Sequence, residues 1–289
     1  MLKNLNQVKT GYTHAGVFHA DDVFSAALLK MLNPHIAIER VLEAPADSDD
    51  VIIFDIGRGR YDHHQNEREL RPLEDGYYWD KDRIQRQIPY CSFGLLWRDY
   101  GRLLCPTDRA WKKVDRDLVL GIDKADNGCG ANALSTALGT LNPVWDDQVS
   151  IPDECFEMAE VLATQILLGF VEKANAEARA EKLVLGSTVI DGKILVLDRY
   201  APWQDVVTNQ MLEILYCVYP SNRGGYNVQT VPLESGSSVP RKGFPAEWLG
   251  NPVKAMGMTF CHPGNFILST TTLEEAIACA QAAIQNTAA

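Results

Sequence analysis

The sequence predicts an α/β protein: a mostly parallel sheet with flanking helices, followed by a smaller α+β C-terminal domain that a long helix joins to it. Three observations carry this. The first half alternates strand-like and helix-like patterns, as βα units around a parallel sheet do. Residues 151–182 are dominated by helix formers, ending in the Ala/Glu-rich "EKANAEARAEKL". Beyond them the chain returns to alternating apolar runs. At 289 residues the chain is longer than one compact core usually supports, and the expected division is a domain over 1–150, a helical connector over 151–185 and a second domain over 186–289.

The elements follow in order. A short strand runs into His14, and "DDVFSAALLKMLNP" reads as an amphipathic helix with acidic residues in its first turn and Pro34 beyond its end. "IAIERVL" suits a second strand. "VIIFD" places four apolar residues before Asp55, the pattern of a strand buried on both faces whose polar last residue sits at the carboxyl edge of the sheet, where open α/β sheets bind ligands. Residues 89–100 and 108–123 read as helices, and the Asn-Gly and Gly-x-Gly punctuation of "GIDKADNGCG" closes the second. In the last third, "STVI" pairs with "KILVL", "EILYCVYP" pairs with "YNVQTVPL" around the "NRGG" turn, and "LEEAIACAQAAIQ" forms a final helix. "ESGSSVPRKGFP" is short enough to be a functional loop.

Composition narrows the chemistry. No apolar run approaches the ~18 residues of a membrane span, the start "MLKNLNQVKTGY" lacks a secretory h-region or an Arg-rich transit pattern, and a cytoplasmic location is the expectation. Seven scattered cysteines without a C-x-x-C pair argue against a disulfide framework or a cysteine zinc site, so any metal falls to histidine and carboxylate. A net charge of -11 weighs against a broad basic footprint for duplex nucleic acid. No Walker A motif and no G-x-S-x-G elbow occur.

Against this background three clusters stand out: His14, His19, Asp21 and Asp22 in "THAGVFHADD"; Asp55; and Asp62, His63 and His64 in "YDHHQ". Asp123 and Asp126 in "GIDKADNG" form a weaker fourth. Each has a plain alternative. Asp21 or Asp22 can simply cap the following helix, and lone histidines such as His35 and His262 are usually structural. Yet four of the six histidines, His14, His19, His63 and His64, fall in two of these clusters together with aspartates, in loops that follow strands of one sheet. Imidazole with carboxylate is a donor set for Mn, Zn, Fe or Co rather than Ca, and a central carboxylate can bridge two ions about 3.5–4 Å apart. Asp55, on the buried strand, is the natural bridge.

These residues resemble the motifs of the DHH phosphoesterases. The match is closer to a narrower branch: "THAGVFHADD", "YDHHQ", "DKADNG", "LNPVW", "APWQD", "GGYNVQTVP", "RKGFPAEW" and "HPGNFI" resemble, in order and over nearly the whole chain, the melanocyte proliferating gene (Myg) family of DHH-like metal-dependent hydrolases. The resemblance implies a DHH-like fold, two divalent ions (Mn2+ first, with Mg2+, Co2+ or Zn2+ as alternatives), and 3′ to 5′ exonuclease action on RNA or short single-stranded nucleic acid through a water activated by the metal pair. Carried over by residue, it puts His14, His19 and Asp55 on one ion and Asp21, Asp55, His63 and Asp126 on the other. His64 then faces substrate phosphate, and Asp55, Asp21 and His64 carry the catalysis. Asp123 is a further ligand, an orienting partner, or a helix-end aspartate. His19 departs from the broad superfamily, in which aspartate is usual, and the narrower branch shares it.

The second domain offers Arg241 and Lys242 in "PRKGFP" as a phosphate clamp, against a solvated surface pair. Gly224 and Gly225 serve phosphate approach or a hairpin turn equally well. Trp145, Trp203 and Trp248 suit base stacking or the core. Two other functions fit the same residues: a small-substrate phosphatase or pyrophosphatase, and a metal-stabilised binding protein without turnover. A homo-oligomer is compatible with either.

Overall fold

In a computed structural model of the chain, residues 2–286 are described, and they divide into two compact units, 1–175 and 176–289. The division falls inside one continuous helix. Unit 1 opens with β1 (Thr10–His14), α1 (Ala20–Leu32), β2 (Ala37–Val41) and β3 (Val51–Ile53). β1 is the central strand of a three-stranded parallel sheet ordered β2-β1-β3. Because β1 and β3 are parallel neighbours, with Tyr12 beside Ile53, the residues that follow each leave at the same edge. His14 ends the first strand and Asp55 lies two residues past the second.

α1 departs from the amphipathic expectation. Every residue from Ala20 to Leu29 is buried, because the helix is covered on several sides by later elements. These are a small hairpin, β4 (Tyr77–Trp79) and β5 (Gln85–Gln87), then α2 (Ser92–Tyr100), α3 (Asp108–Val114), a π-helical turn over Asp115–Val119, α4 (Leu120–Asp126) and α5 (Ala133–Gly139). Of these, α2, α4 and α5 pack on α1. Phe24, Leu28 and Leu29 of α1 are fully buried, as are Phe54, Phe93, Leu96 and Ile122 elsewhere in unit 1. The two acidic residues of the first turn of α1 are therefore pointed not at solvent but into the protein.

α6 (Pro152–Leu185) begins in unit 1 and ends in unit 2, covering the stretch expected as a helix. Unit 2 then adds β6 (Thr188–Ile190), β7 (Ile194–Val196), α7 (Gln204–Gln210), β8 (Tyr216–Pro220), β9 (Tyr226–Thr230), β10 (Met258–Cys261), β11 (Ile267–Thr270) and α8 (Leu273–Gln285). Its six strands form one sheet ordered β10-β11-β9-β8-β7-β6. Only β7–β8 is parallel, with α7 between the two strands in sequence. Apolar residues of α8 cover one side of this sheet with Tyr216, Val228 and Leu268, while Trp203, Val206, Leu195 and Cys217 form the other core. The parallel sheet of the fold is thus confined to unit 1, and β10 and β11 are strands that the sequence reading lacked.

One polar interaction fixes α4 within unit 1. Arg71, 1% exposed, donates to both oxygens of Asp115 (2.7 and 2.9 Å) and, through Nε, to Asp123. The second Asp123 oxygen accepts the Cys91 amide at 2.8 Å. Gly94 on α2 is required here, since a Cβ would sit 2.3 Å from Asp123 Oδ1. Removing one partner of a buried ion pair typically costs ~3–5 kcal/mol. Arg71→Met, which strands two carboxylates, is expected to lower unfolding free energy by about that amount in urea titrations, and adding Asp123→Asn to it should recover part of the loss.

Candidate metal centre

Backbone geometry aims the site. Asp55 adopts a left-handed conformation (φ 57°) that few residues other than glycine, asparagine and aspartate tolerate. It is held there by its amide on the Tyr61 carbonyl (2.9 Å) and by the Phe54 amide on the Tyr12 carbonyl (3.0 Å). His14 Nδ1 lies 3.1 Å from the Ala15 carbonyl, which fixes the proton there and leaves Nε2 facing inward. Asp22 divides its carboxylate: Oδ1 accepts the amides of His19 (2.9 Å) and Val23 (2.7 Å), closing the first turn of α1, and Oδ2 turns toward His14. Ser92, at the start of α2, holds Asp21 Oδ2 through its hydroxyl (2.9 Å) and amide (3.3 Å).

The side chains converge. His14 Nε2 is 3.2 Å from Asp55 Oδ2 and 3.3 Å from Asp22 Oδ2. His63 Nε2 is 3.0 Å from Asp55 Oδ1, 3.2 Å from Asp126 Oδ2 and 3.6 Å from Asp21 Oδ2. Three groups present ligand atoms that all lie within 4.8 Å of one another: His14, Asp22 and Asp55; Asp55, His63 and His64; His19, Asp21 and Asp126. Asp21, Asp55, His63 and Asp126 therefore meet around a single imidazole nitrogen, the set that the family resemblance groups on one ion. On the other side, Asp22 rather than His19 accompanies His14 and Asp55. The exposed His19 groups instead with Asp21 and Asp126.

Asp22 is the site residue that sequence reasoning left as a cap. Its signal was present in the acidic doublet, but an N-cap preference explains a doublet equally well, and only burial of both acids separates the two. Asp123 joins none of the groups, because Arg71 and the Cys91 amide engage its oxygens. His64 is more than half exposed, with Nδ1 on Asp62 at 2.7 Å. In unit 2 the Arg241 guanidinium donates to the carbonyls of Val207, Thr208, Met211, Leu212 and Ile214, closing the C-terminal end of α7. Lys242 Nζ meets the Asn286 carbonyl (2.7 Å). Main-chain oxygens thus surround the expected phosphate clamp, and its chemistry there is helix closure. Trp203 and Trp248 are core residues, Trp145 is exposed, and Gly224 and Gly225 form the β8–β9 turn. Among the described residues, His35 and His262 join no metal-capable group.

Electrostatics show what the cluster lacks. Oδ1 of Asp21, Oδ2 of Asp22, Oδ1 of Asp55 and Oδ2 of Asp126 are buried with no well-formed hydrogen bond, the last three facing imidazole nitrogens of His14 and His63, a condition that native proteins avoid unless something else satisfies the atoms. Burial, then the charge of Asp55, raises the Asp21 carboxyl; burial, then the charge of Asp21, raises that of Asp22 well above its ordinary range. Burial and Asp21 lift Asp126 to about 8. Burial also pushes Asp55 up, but His14 and His63 outweigh it and hold that carboxyl at about 2. The Asp55 contact lifts His14 to about 9 against its burial. Burial lowers His63, yet Asp55, Asp21 and Asp126 bring it to about 9 as well. Protons thus collect where cations belong, and the hard oxygen and imidazole donors fit divalent ions.

The cluster borders a cavity of about 550 Å³ lined by His19, His63, His64, Arg68, Asp126 and Asn127, among others. Among the described residues no helix is long and apolar enough to cross a membrane.

Comparison with known proteins gives a consistent result. The family model MYG1_exonuc, described as "Uncharacterised protein family (UPF0160)", matches residues 11–284. The chain is 27% identical to the "MYG1 exonuclease" of Mus musculus, over 94% of this chain and 84% of the mouse protein. It is 26% identical to that of Homo sapiens, over 94% of this chain and 85% of the human one. With "MYG1 protein YER156C" of Saccharomyces cerevisiae the identity is 23%, over 88% and 89% of the two chains. No solved structure matches significantly.

The raised imidazoles set a pH dependence. A histidine whose folded pKa is lifted from 6.5 to about 9 stabilises the metal-free fold fully below pH 6.5, and that contribution is lost as pH rises through 9. Thermal melts in a chelator are expected to fall across this window. Added Mn2+ should abolish the fall, because ions that displace those protons bind more tightly as pH rises. Parallel curves with and without Mn2+ would remove His14 and His63 from the ligand set.

Proposed function

The chain belongs to the MYG1 exonuclease family, UPF0160, and on that premise we propose that it is a metal-dependent phosphodiester hydrolase, a 3′ to 5′ exonuclease acting on RNA or short single-stranded nucleic acid. The observation that carries this reading is the convergence of four carboxylates and two inward-facing imidazoles about Asp55, with imidazole-to-carboxylate distances of 3.0 to 3.6 Å. His14 and Asp22 would hold one divalent ion and Asp21, His63 and Asp126 the other, with Asp55 placed to serve both. Two such ions, Mn2+ by preference, supply Lewis-acid activation of water and neutralise charge developing on the phosphoryl oxygens.

The chain's own groups do the rest. The Ala15 carbonyl keeps the His14 proton on Nδ1, so Nε2 stays a donor of electrons to the site. Ser92 stops Asp21 from rotating away. His64, with Nδ1 engaged by Asp62 and its ring in the cavity lining, presents Nε2 to a phosphate oxygen. A cavity of about 550 Å³ lies within the ~300–1,000 Å³ range of small-molecule sites. That size suits a terminal nucleotide drawn in from a strand end. The same size admits a free nucleotide, so the small-substrate phosphatase is the second reading.

Incubation with Mn2+ and 5′-labelled RNA, DNA and mononucleotides separates the two. A ladder of progressively shortened oligomers is expected, and phosphate release from mononucleotides alone would establish the phosphatase instead. Asp55→Asn should reduce turnover by more than the ~10–100-fold that loss of a mere orienting partner costs. Its ion stoichiometry, read by elemental analysis, should drop too. Full activity in that variant would remove the shared-carboxylate arrangement.

A further inference from the structure

The metal cavity contains one lysine or arginine among its described lining residues, Arg68, and its setting differs from that of the arginines around it. Arg60 pairs with Asp99, Arg98 with Glu69 and Asp99, and Arg71 with Asp115 and Asp123. Each of those charges is neutralised. The exposed Arg68 instead donates from Nη1 to a neutral acceptor, Asn127 Oδ1, at 3.1 Å.

The amide cannot be the other way round. Asn127 Nδ2 donates to the carbonyls of Pro89 (3.1 Å) and Asp123 (3.0 Å), which uses both its N–H groups and leaves the oxygen to face Arg68. The backbone beneath is pinned as well, with the Tyr90 amide on the Glu69 carbonyl (2.9 Å) and Leu70 bridged to Pro89. A guanidinium has five N–H donors, and this contact engages one of them. Arg68 is therefore aimed but not discharged.

Charge balance gives that arrangement a purpose. Asp21, Asp22, Asp55 and Asp126 together carry as much negative charge as two divalent ions carry positive, so the loaded centre offers an incoming anion little net attraction. The whole chain, at -11, repels it. A fixed guanidinium on the same cavity supplies the missing attraction and a planar fork that matches phosphate geometry.

We propose that Arg68, positioned by Asn127, is the substrate-phosphate anchor of this cavity. The inference rests on the hydrolase reading above and goes beyond it by naming the group that binds, rather than cleaves, the phosphate ester.

The test uses the full Mn2+-loaded protein and two probes: a nucleoside 5′-monophosphate titrated by calorimetry and a short single-stranded RNA as substrate. Arg68→Gln is expected to weaken monophosphate binding and raise KM by about tenfold to a hundredfold, the loss typical of a charge-assisted hydrogen bond, with kcat, melting temperature and Mn2+ stoichiometry unchanged. Arg68→Lys, which keeps the charge and loses the fork, should fall between. If the parent protein hydrolyses RNA and Arg68→Gln leaves both KM and monophosphate affinity within twofold, the anchor assignment is wrong and the hydrolase reading stands. If the parent protein neither binds the monophosphate nor cleaves any phosphoester, both are overturned.

Discussion

Four carboxylates gathered out of water at the end of a parallel sheet cannot all remain ionised without positive charge among them. Coulomb repulsion at 3–4 Å in a poorly screened interior is worth several kcal/mol per pair, and the protein answers with two imidazoles, His63 buried and His14 half-buried. This is the constraint on which the architecture of the first unit depends. Strand ends, helix starts and the pinned Asp55 backbone all serve to hold repelling groups together, and such a cluster is stable only with protons or cations to share. The strain at Asp55 belongs to the same pattern, since a residue kept in a sparsely populated conformation persists where its surroundings over-determine it.

The supporting groups are as informative as the cluster. Ser92, the Ala15 carbonyl and the capping amides of α1 each fix one atom of a site residue and leave its other atom facing the cluster. A protein that needed these acids only for folding would have satisfied all their oxygens. Asp22 shows the division most clearly: one oxygen completes the helix, and the other is reserved for the site. Arg71 performs the complementary task on α4, compensating Asp115 and Asp123 so that Asp126, one turn further, is the acid of that helix that reaches the cluster.

Much of this was legible in the sequence, for identifiable reasons. "VIIFD" announced a strand leading to an acid at the sheet edge, although β3 spans only Val51–Ile53 with two of its residues half-buried, and Asp55 stands two residues beyond it. The density of histidine beside aspartate before residue 64 announced a metal-type donor set. "LEEAIACAQAAIQ" was read to the residue as α8. What escaped depends on partners distant in the chain. The burial of both acids of α1 follows from α2, α4 and α5 lying on it, which no local period encodes. Arg241 reads as a phosphate clamp by type and neighbours, and only the fold reveals the five carbonyls waiting for it. β10 and β11 are short strands separated by His, Pro and Gly, and the pairing of β11 with β9 is not written in either segment.

The π-helical turn between α3 and α4 has a geometric consequence. Asp115 and Asp123 are eight residues apart, and on an uninterrupted α-helix of ~100° per residue they would point about 80° away from each other. The wider turn, closed by the Leu120 amide on the Asp115 carbonyl, absorbs roughly that excess and lets one guanidinium span both. Everything downstream inherits the adjustment, and the angular setting of Asp126 with it. Straightening this stretch into regular α-helix with its residues unchanged would turn the end of the helix by ~80° and swing its terminal acid off His63. The spacing of the chain here, as much as its lettering, is part of what the centre is made of.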